Sequence, residues 1–89
     1  MSYEVKLHQE VAKTLAGMSP KIRSKIIRAL RILKNDPFQS RSGADIVRLK
    51  GTRARQDLFR LRIGDYRAIY AVEDNVVYVT DLFHRGKRY

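Results

Sequence analysis

Apolar positions recur along this chain with two different periods. From Gln9 to Ala16, Val11, Ala12 and Leu15 fall at helical spacing, and Gly17 ends the run. Ser19-Pro20 then opens a second helix. The serine hydroxyl can accept from the free N–H groups of the first turn, and proline at the first helical position gives up no needed donor. Ile22, Ile26, Ile27, Leu30 and Leu33 form its apolar stripe, with Lys21, Arg23, Lys25, Arg28 and Arg31 turned to water. Asn35-Asp36-Pro37 stops it, because the residue before a proline is pushed out of the α region. Elsewhere the period is two. Tyr3 to Leu7 alternates weakly as a short strand, and Ile46 to Leu49 forms another. Asp57 to Ile63 and Tyr66 to Val72 read as a hairpin whose Gly64-Asp65 turn, with glycine first, suits type II′. The sequence YRAIYAV is almost wholly apolar, which predicts a central strand with both faces partly covered. Glu73-Asp74-Asn75 turns the chain into Val76 to Phe83. Phe38 to Ala44 is polar and irregular and reads as the most flexible loop, while Gly51 begins a turn that carries Arg53 and Arg55.

Condensed, the order is β-α-α-β-β-β, an α+β fold with two N-terminal helices packed on one face of a small antiparallel sheet. At 89 residues the chain reads as one domain, 1–89, with no repeat or linker. No segment approaches the length of an apolar membrane span and no signal peptide precedes the first strand, so the expectation is a soluble, cytoplasmic protein with no membrane partner.

Charge changes the picture most. Nineteen Lys and Arg stand against nine Asp and Glu, giving a net charge of +10. Such a field favours polyanions and speeds encounter with them, so nucleic acid leads as partner class, ahead of an acidic protein or an anionic membrane. From Arg41 onward the chain holds nine Arg and two Lys. Arginine makes forked contacts to phosphate, so this bias supports a phosphate-reading surface. Arg60 and Arg62 alternate with Phe59, Leu61 and Ile63 and therefore share one face of a strand, about 7 Å apart. Arg67 lies across the hairpin and Arg85 just beyond the last strand. The chain ends His84-Arg85-Gly86-Lys87-Arg88-Tyr89, which adds a group titrating near neutrality, three cations and an aromatic hydroxyl.

Cysteine is absent, which removes thiolate catalysis, disulfides and thiolate metal sites. No glycine-rich phosphate loop, Ser-His-Asp set or metal-ligand spacing is present, so no cofactor and no metal are expected. Asp57, Asp65, Asp74 and Asp81 sit at turns or strand positions without a partner motif. Phosphodiester cleavage by such a chain would have to use RNA's own 2′-hydroxyl as nucleophile.

These residues resemble a known family. VRLKG, FRLRIGDYRAIYAV and an apolar strand ending in HRGKRY are similar to the RelE/ParE superfamily of toxins from toxin–antitoxin systems, over nearly the whole chain. The resemblance implies the RelE-like microbial RNase fold and one of two activities. RelE-like members are mRNA interferases, metal-independent endoribonucleases that cut mRNA in the ribosomal A site by 2′-hydroxyl attack. ParE-like members inhibit DNA gyrase without cutting RNA, and an inactive member would bind only antitoxin or RNA. In the RelE-like pattern Arg60, Arg62, Arg67, Arg85 and Tyr89 take the catalytic positions, with Arg88 the alternative to Arg85 as the tail arginine. Beside that pattern, His84 reads from its chemistry as a possible acid or base, and Arg53, Arg55, Lys87 and Arg88 read as RNA-binding cations. The implied partners are a cognate RelB-like antitoxin and the ribosome with its mRNA. One departure has chemical weight. The first pair is arginine rather than lysine, and arginine does not give up its proton. Tyr89 or His84 would then have to serve as the base.

Overall fold

A computed structural model describes residues 2–49 and 57–87. The elements are β1 (Glu4–Leu7), α1 (Gln9–Ala16), α2 (Pro20–Ile32), β2 (Asp45–Arg48), β3 (Leu58–Ile63), β4 (Tyr66–Glu73) and β5 (Val76–His84), followed by a single 3₁₀ turn at Arg85–Lys87. The five strands form one sheet in the order β1-β5-β4-β3-β2. Three of its pairings are antiparallel, whereas β1 runs parallel to β5, so the sheet is mixed. Four strands follow the helices, one more than the condensed order of the sequence reading. The α+β class and the placement of both helices on one face hold.

Alternation builds the core. Phe59, Leu61 and Ile63 of β3, Ala68 and Tyr70 of β4, and Val77, Val79 and Leu82 of β5 join Val11, Leu15, Ile26, Leu30 and Leu33 in one buried cluster. Since the helices supply the other half of that cluster, the opposite sheet face is left for function. As its apolar sequence predicts, β4 is central, third of five in the sheet order.

Ser19 caps α2, its hydroxyl accepting from Ile22 N–H at 3.4 Å. The stripe of α2 is narrower than its sequence suggests. Ile26, Leu30 and Leu33 are buried, but Ile22 and Ile27 are each 37% exposed, because the sheet contacts only one side of the helix. The Phe38–Ala44 segment is also better tied than its composition implies. Asp36 accepts from Phe38 and Gln39 N–H, and the Arg41 guanidinium donates to the carbonyls of Ile32, Asp36 and Gln39. Those two backbone donors hold the Asp36 carboxyl below its ordinary pKa. No helix among the described residues is long and apolar enough to cross a membrane.

Candidate active site

The hairpin fixes the site. Gly64 takes φ +59° and no positive φ occurs at Asp65, as a type II′ turn requires. A two-residue loop sets Ile63 opposite Tyr66, and the ladder therefore places Arg62 directly opposite Arg67 and Arg60 opposite Ile69. A side chain at position 64 would be strained by that φ, and its Cβ would lie 3.0 Å from Lys25 Nζ.

The register on the other side of β4 depends on an irregularity. Tyr70 faces Val79 but Ile69 faces Asp81, which leaves Thr80 as an extra residue in β5. This bulge shifts the alternation by one. Val79 and Leu82 both enter the core. Asp81 and Phe83 consequently join the open face. Two cross-strand rows result, Arg60–Ile69–Asp81 and Arg62–Arg67–Phe83.

Between these rows lies a cleft of about 480 Å³ lined by Ile69 and Phe83, by Arg60, Arg67 and Arg85, by Asp81, and by Leu49 beyond β2. Arg67 donates to the carbonyls of Gly64 (2.9 Å) and Tyr66 (3.0 Å), which holds its guanidinium against the turn. Its pKa is lowered by burial and then by Arg62, Arg60 and Arg85, with Asp65 opposing. Guanidinium groups crowded in this way create a field that a phosphate would relieve. Arg85 is anchored twice, by its N–H to Asp65 O at 2.7 Å and by Nε to the Asp65 carboxylate at 3.6 Å. Asp45 stands 3.4 Å from Arg62 and 4.0 Å from Arg60. Buried Arg60 Nε finds no hydrogen-bond partner among the described residues, an unusual state for a buried donor and one that an anion would satisfy.

The predicted residues thus divide. Arg60, Arg67 and Arg85 share the cleft. Arg62 borders it, lining a neighbouring groove with Lys25, Arg28 and Asp45. His84 does not join them. It pairs with Tyr66 on the helix-side face, edge-to-face at 5.2 Å, and its Nδ1 accepts from Gly86 N–H. The strand alternation that aims Phe83 at the cleft turns His84 away. Arg53, Arg55, Arg88 and Tyr89 lie outside the described residues, and Lys87 closes the 3₁₀ turn. Asp45 was not named from the sequence, and Asp81 was set aside there as lacking a partner motif, yet both stand among these arginines. The polar pair Thr80-Asp81, interrupting an apolar strand, is the signal that marks the bulge. Among the described residues, no three His, Cys, Asp or Glu side chains cluster as metal ligands do.

Comparison with known proteins agrees with this architecture. Residues 5–89 match the family model for the ParE toxin of the type II toxin–antitoxin system parDE. A protein of Methanocaldococcus jannaschii that bears the name RelE1 is 30% identical over 91 residues, covering 100% of this chain and 97% of its own length. In the crystal structure of the archaeal RelE–RelB complex from Pyrococcus horikoshii OT3, one chain superposes with a TM-score of 0.80 at 36% identity, covering 99% of this chain and 100% of that one. The toxin–antitoxin complex RelBE2 from Mycobacterium tuberculosis shares the fold, with a TM-score of 0.76, 22% identity, and coverage of 96% and 100%. The chain belongs to the ParE toxin family of type II toxin–antitoxin systems, within the RelE/ParE superfamily.

Proposed function

We propose that this toxin is a ribosome-dependent mRNA endoribonuclease that cuts in the A site by attack of the substrate's own 2′-hydroxyl. The observation that carries the reading is the convergence of Arg60, Arg67 and Arg85 on one cleft between apolar Ile69 and Phe83. Neighbouring strands lie about 4.8 Å apart, so the backbones of β3 and β5 stand roughly 10 Å from each other across it. That span admits one phosphodiester between opposed side chains. Arg67, with Arg62 beside it, holds the non-bridging oxygens, and Arg60 Nε supplies a donor already desolvated. Arg85 offsets charge on the departing 5′-oxygen. Fixed donors aimed at charge that grows in the transition state are each worth roughly 10²–10³ in rate. Tyr89 stacks on a base or takes the 2′-hydroxyl proton, and Lys87, Arg88, Arg53 and Arg55 bind the RNA backbone. The cytoplasm is the compartment this chemistry needs.

A cognate RelB-like antitoxin completes the proposal. The similar Pyrococcus and Mycobacterium chains were solved as complexes with antitoxins. Exposed Leu7, Ile22 and Ile27 offer an apolar face to an acidic, amphipathic segment.

A second reading, gyrase inhibition without RNA chemistry, draws on the matching family model, which describes ParE toxins. One pair of assays separates them. Primer extension on translated mRNA after induction should show cuts within codons that disappear in Arg67→Ala, while purified gyrase keeps its supercoiling activity. Inhibited gyrase with uncut mRNA would reverse the assignment.

A further inference from the structure

The cleft supplies positive charge in excess but, among the described arginines, no group that accepts a proton, since guanidinium stays protonated at any working pH. His84 is turned to the other face. One carboxylate does line the cleft with Arg60, Arg67 and Arg85, that of Asp81. We infer that Asp81 is the general base of the cleavage reaction, an inference that rests on the nuclease reading above.

Three observations support it. First, Asp81 reaches the cleft only because β5 is bulged at Thr80. Unbroken alternation from Val77 and Val79 would have turned residue 81 into the core. Bulges commonly re-aim one side chain at a functional site. Second, it shares the cleft with the cations. Asp81 and Arg60 end the same cross-strand row with Ile69 between them, so the carboxylate stands across the cleft from Arg60, on the strand that leads into Arg85. Third, a hydroxyl stands beside the carboxylate. Thr80 Oγ1 lies 3.2 Å from Asp81 Oδ2 and 3.4 Å from Ile69 O, and its single proton, given to the nearer acceptor, leaves Oδ1 for the ribose hydroxyl. Asp81 forms no ion pair among the described residues, whereas Asp45 and Asp65 are occupied by Arg60 and Arg62 and by Arg85.

The step balances without a metal or co-reactant. Asp81 Oδ1 takes the 2′-hydroxyl proton as the 2′-oxygen bonds to phosphorus, and the bond from phosphorus to the 5′-oxygen breaks. That oxygen leaves beside Arg85 and is protonated by water. The products are a 2′,3′-cyclic phosphate and a 5′-hydroxyl end, and Asp81 returns its proton to solvent. Tyr89 is then left to stack on the base.

The test is single-turnover cleavage of mRNA on programmed ribosomes by the toxin separated from its antitoxin, comparing wild type, Asp81→Asn and Asp81→Ala. Rebinding of antitoxin by each variant serves as the check on folding. Removal of a general base should slow cleavage about 10²–10⁴-fold. Added formate should restore part of the Asp81→Ala rate and leave wild type unchanged, which a purely structural carboxylate would not do. Asp81→Asn within threefold of wild type would overturn the assignment, as would a slow Asp81→Ala that formate does not rescue. A wild-type toxin that leaves mRNA intact under the same conditions would instead overturn the nuclease reading on which the inference stands.

Discussion

Tyr70 lies at the centre of the sheet with its hydroxyl buried, donating to Pro37 O at 2.6 Å across 33 residues of sequence. Proline has no N–H, so this carbonyl is the one hydrogen-bonding group Pro37 offers, and it lies at the start of the segment that leads into β2 and Asp45. The substitution Tyr70→Phe removes the donor and keeps the ring, including its stacking on Phe59 at 5.6 Å. The cost is therefore that of a buried carbonyl left unsatisfied, about 1–3 kcal/mol. Taking 2 kcal/mol, the melting temperature of a domain this size should fall by roughly 8–16 °C. Urea unfolding followed by circular dichroism should show a lower midpoint with unchanged slope. The pH dependence supplies a second check. Burial pushes the Tyr70 phenol well above its ordinary value. Above about pH 10 the unfolded chain has lost this proton while the folded one keeps it, so stability present below that pH falls as pH rises. Tyr70→Phe should lack this component. A loss under about 0.5 kcal/mol, with an unchanged alkaline limb, would mean that the Tyr70–Pro37 bond contributes nothing to stability.

Other expectations follow from the same packing. Leu61 sits fully buried between Arg60 and Arg62, so Leu61→Ala should cost about 2–5 kcal/mol in urea unfolding; a loss under 1 kcal/mol would mean the site collapses around the gap. Ser19→Ala removes a cap whose bond is long at 3.4 Å, which puts the cost near the lower end of about 0.5–2 kcal/mol, and a loss above 2 would show further contacts of that hydroxyl.

Much of this architecture was written in local signals. Ser19-Pro20 and Asn35-Asp36-Pro37 bound the second helix because caps and proline act within a few residues. Gly64-Asp65 fixed the hairpin register, and with it the opposition of Arg62 and Arg67. Features set by distant partners were not legible. The parallel pairing of β1 with β5 joins segments about seventy residues apart, and neither strand carries a mark of its neighbour's direction. The Thr80 bulge is chosen by how β5 fits β4, so the same residues that read as a plain strand hid the placement of Asp81 and reversed that of His84. Exposure of Ile22 and Ile27 likewise depends on how far the sheet reaches around the helix, which periodicity does not contain.

Whether the arginine cleft cuts RNA is decided by mapping ribosome-bound mRNA with wild type and Arg67→Ala side by side. Discrete cuts inside the A-site codon, ending in a 2′,3′-cyclic phosphate and slowed at least about 10²-fold by the substitution, are expected. Intact mRNA with wild type would rule the nuclease out, and cleavage unchanged in Arg67→Ala would rule out this cleft as its site.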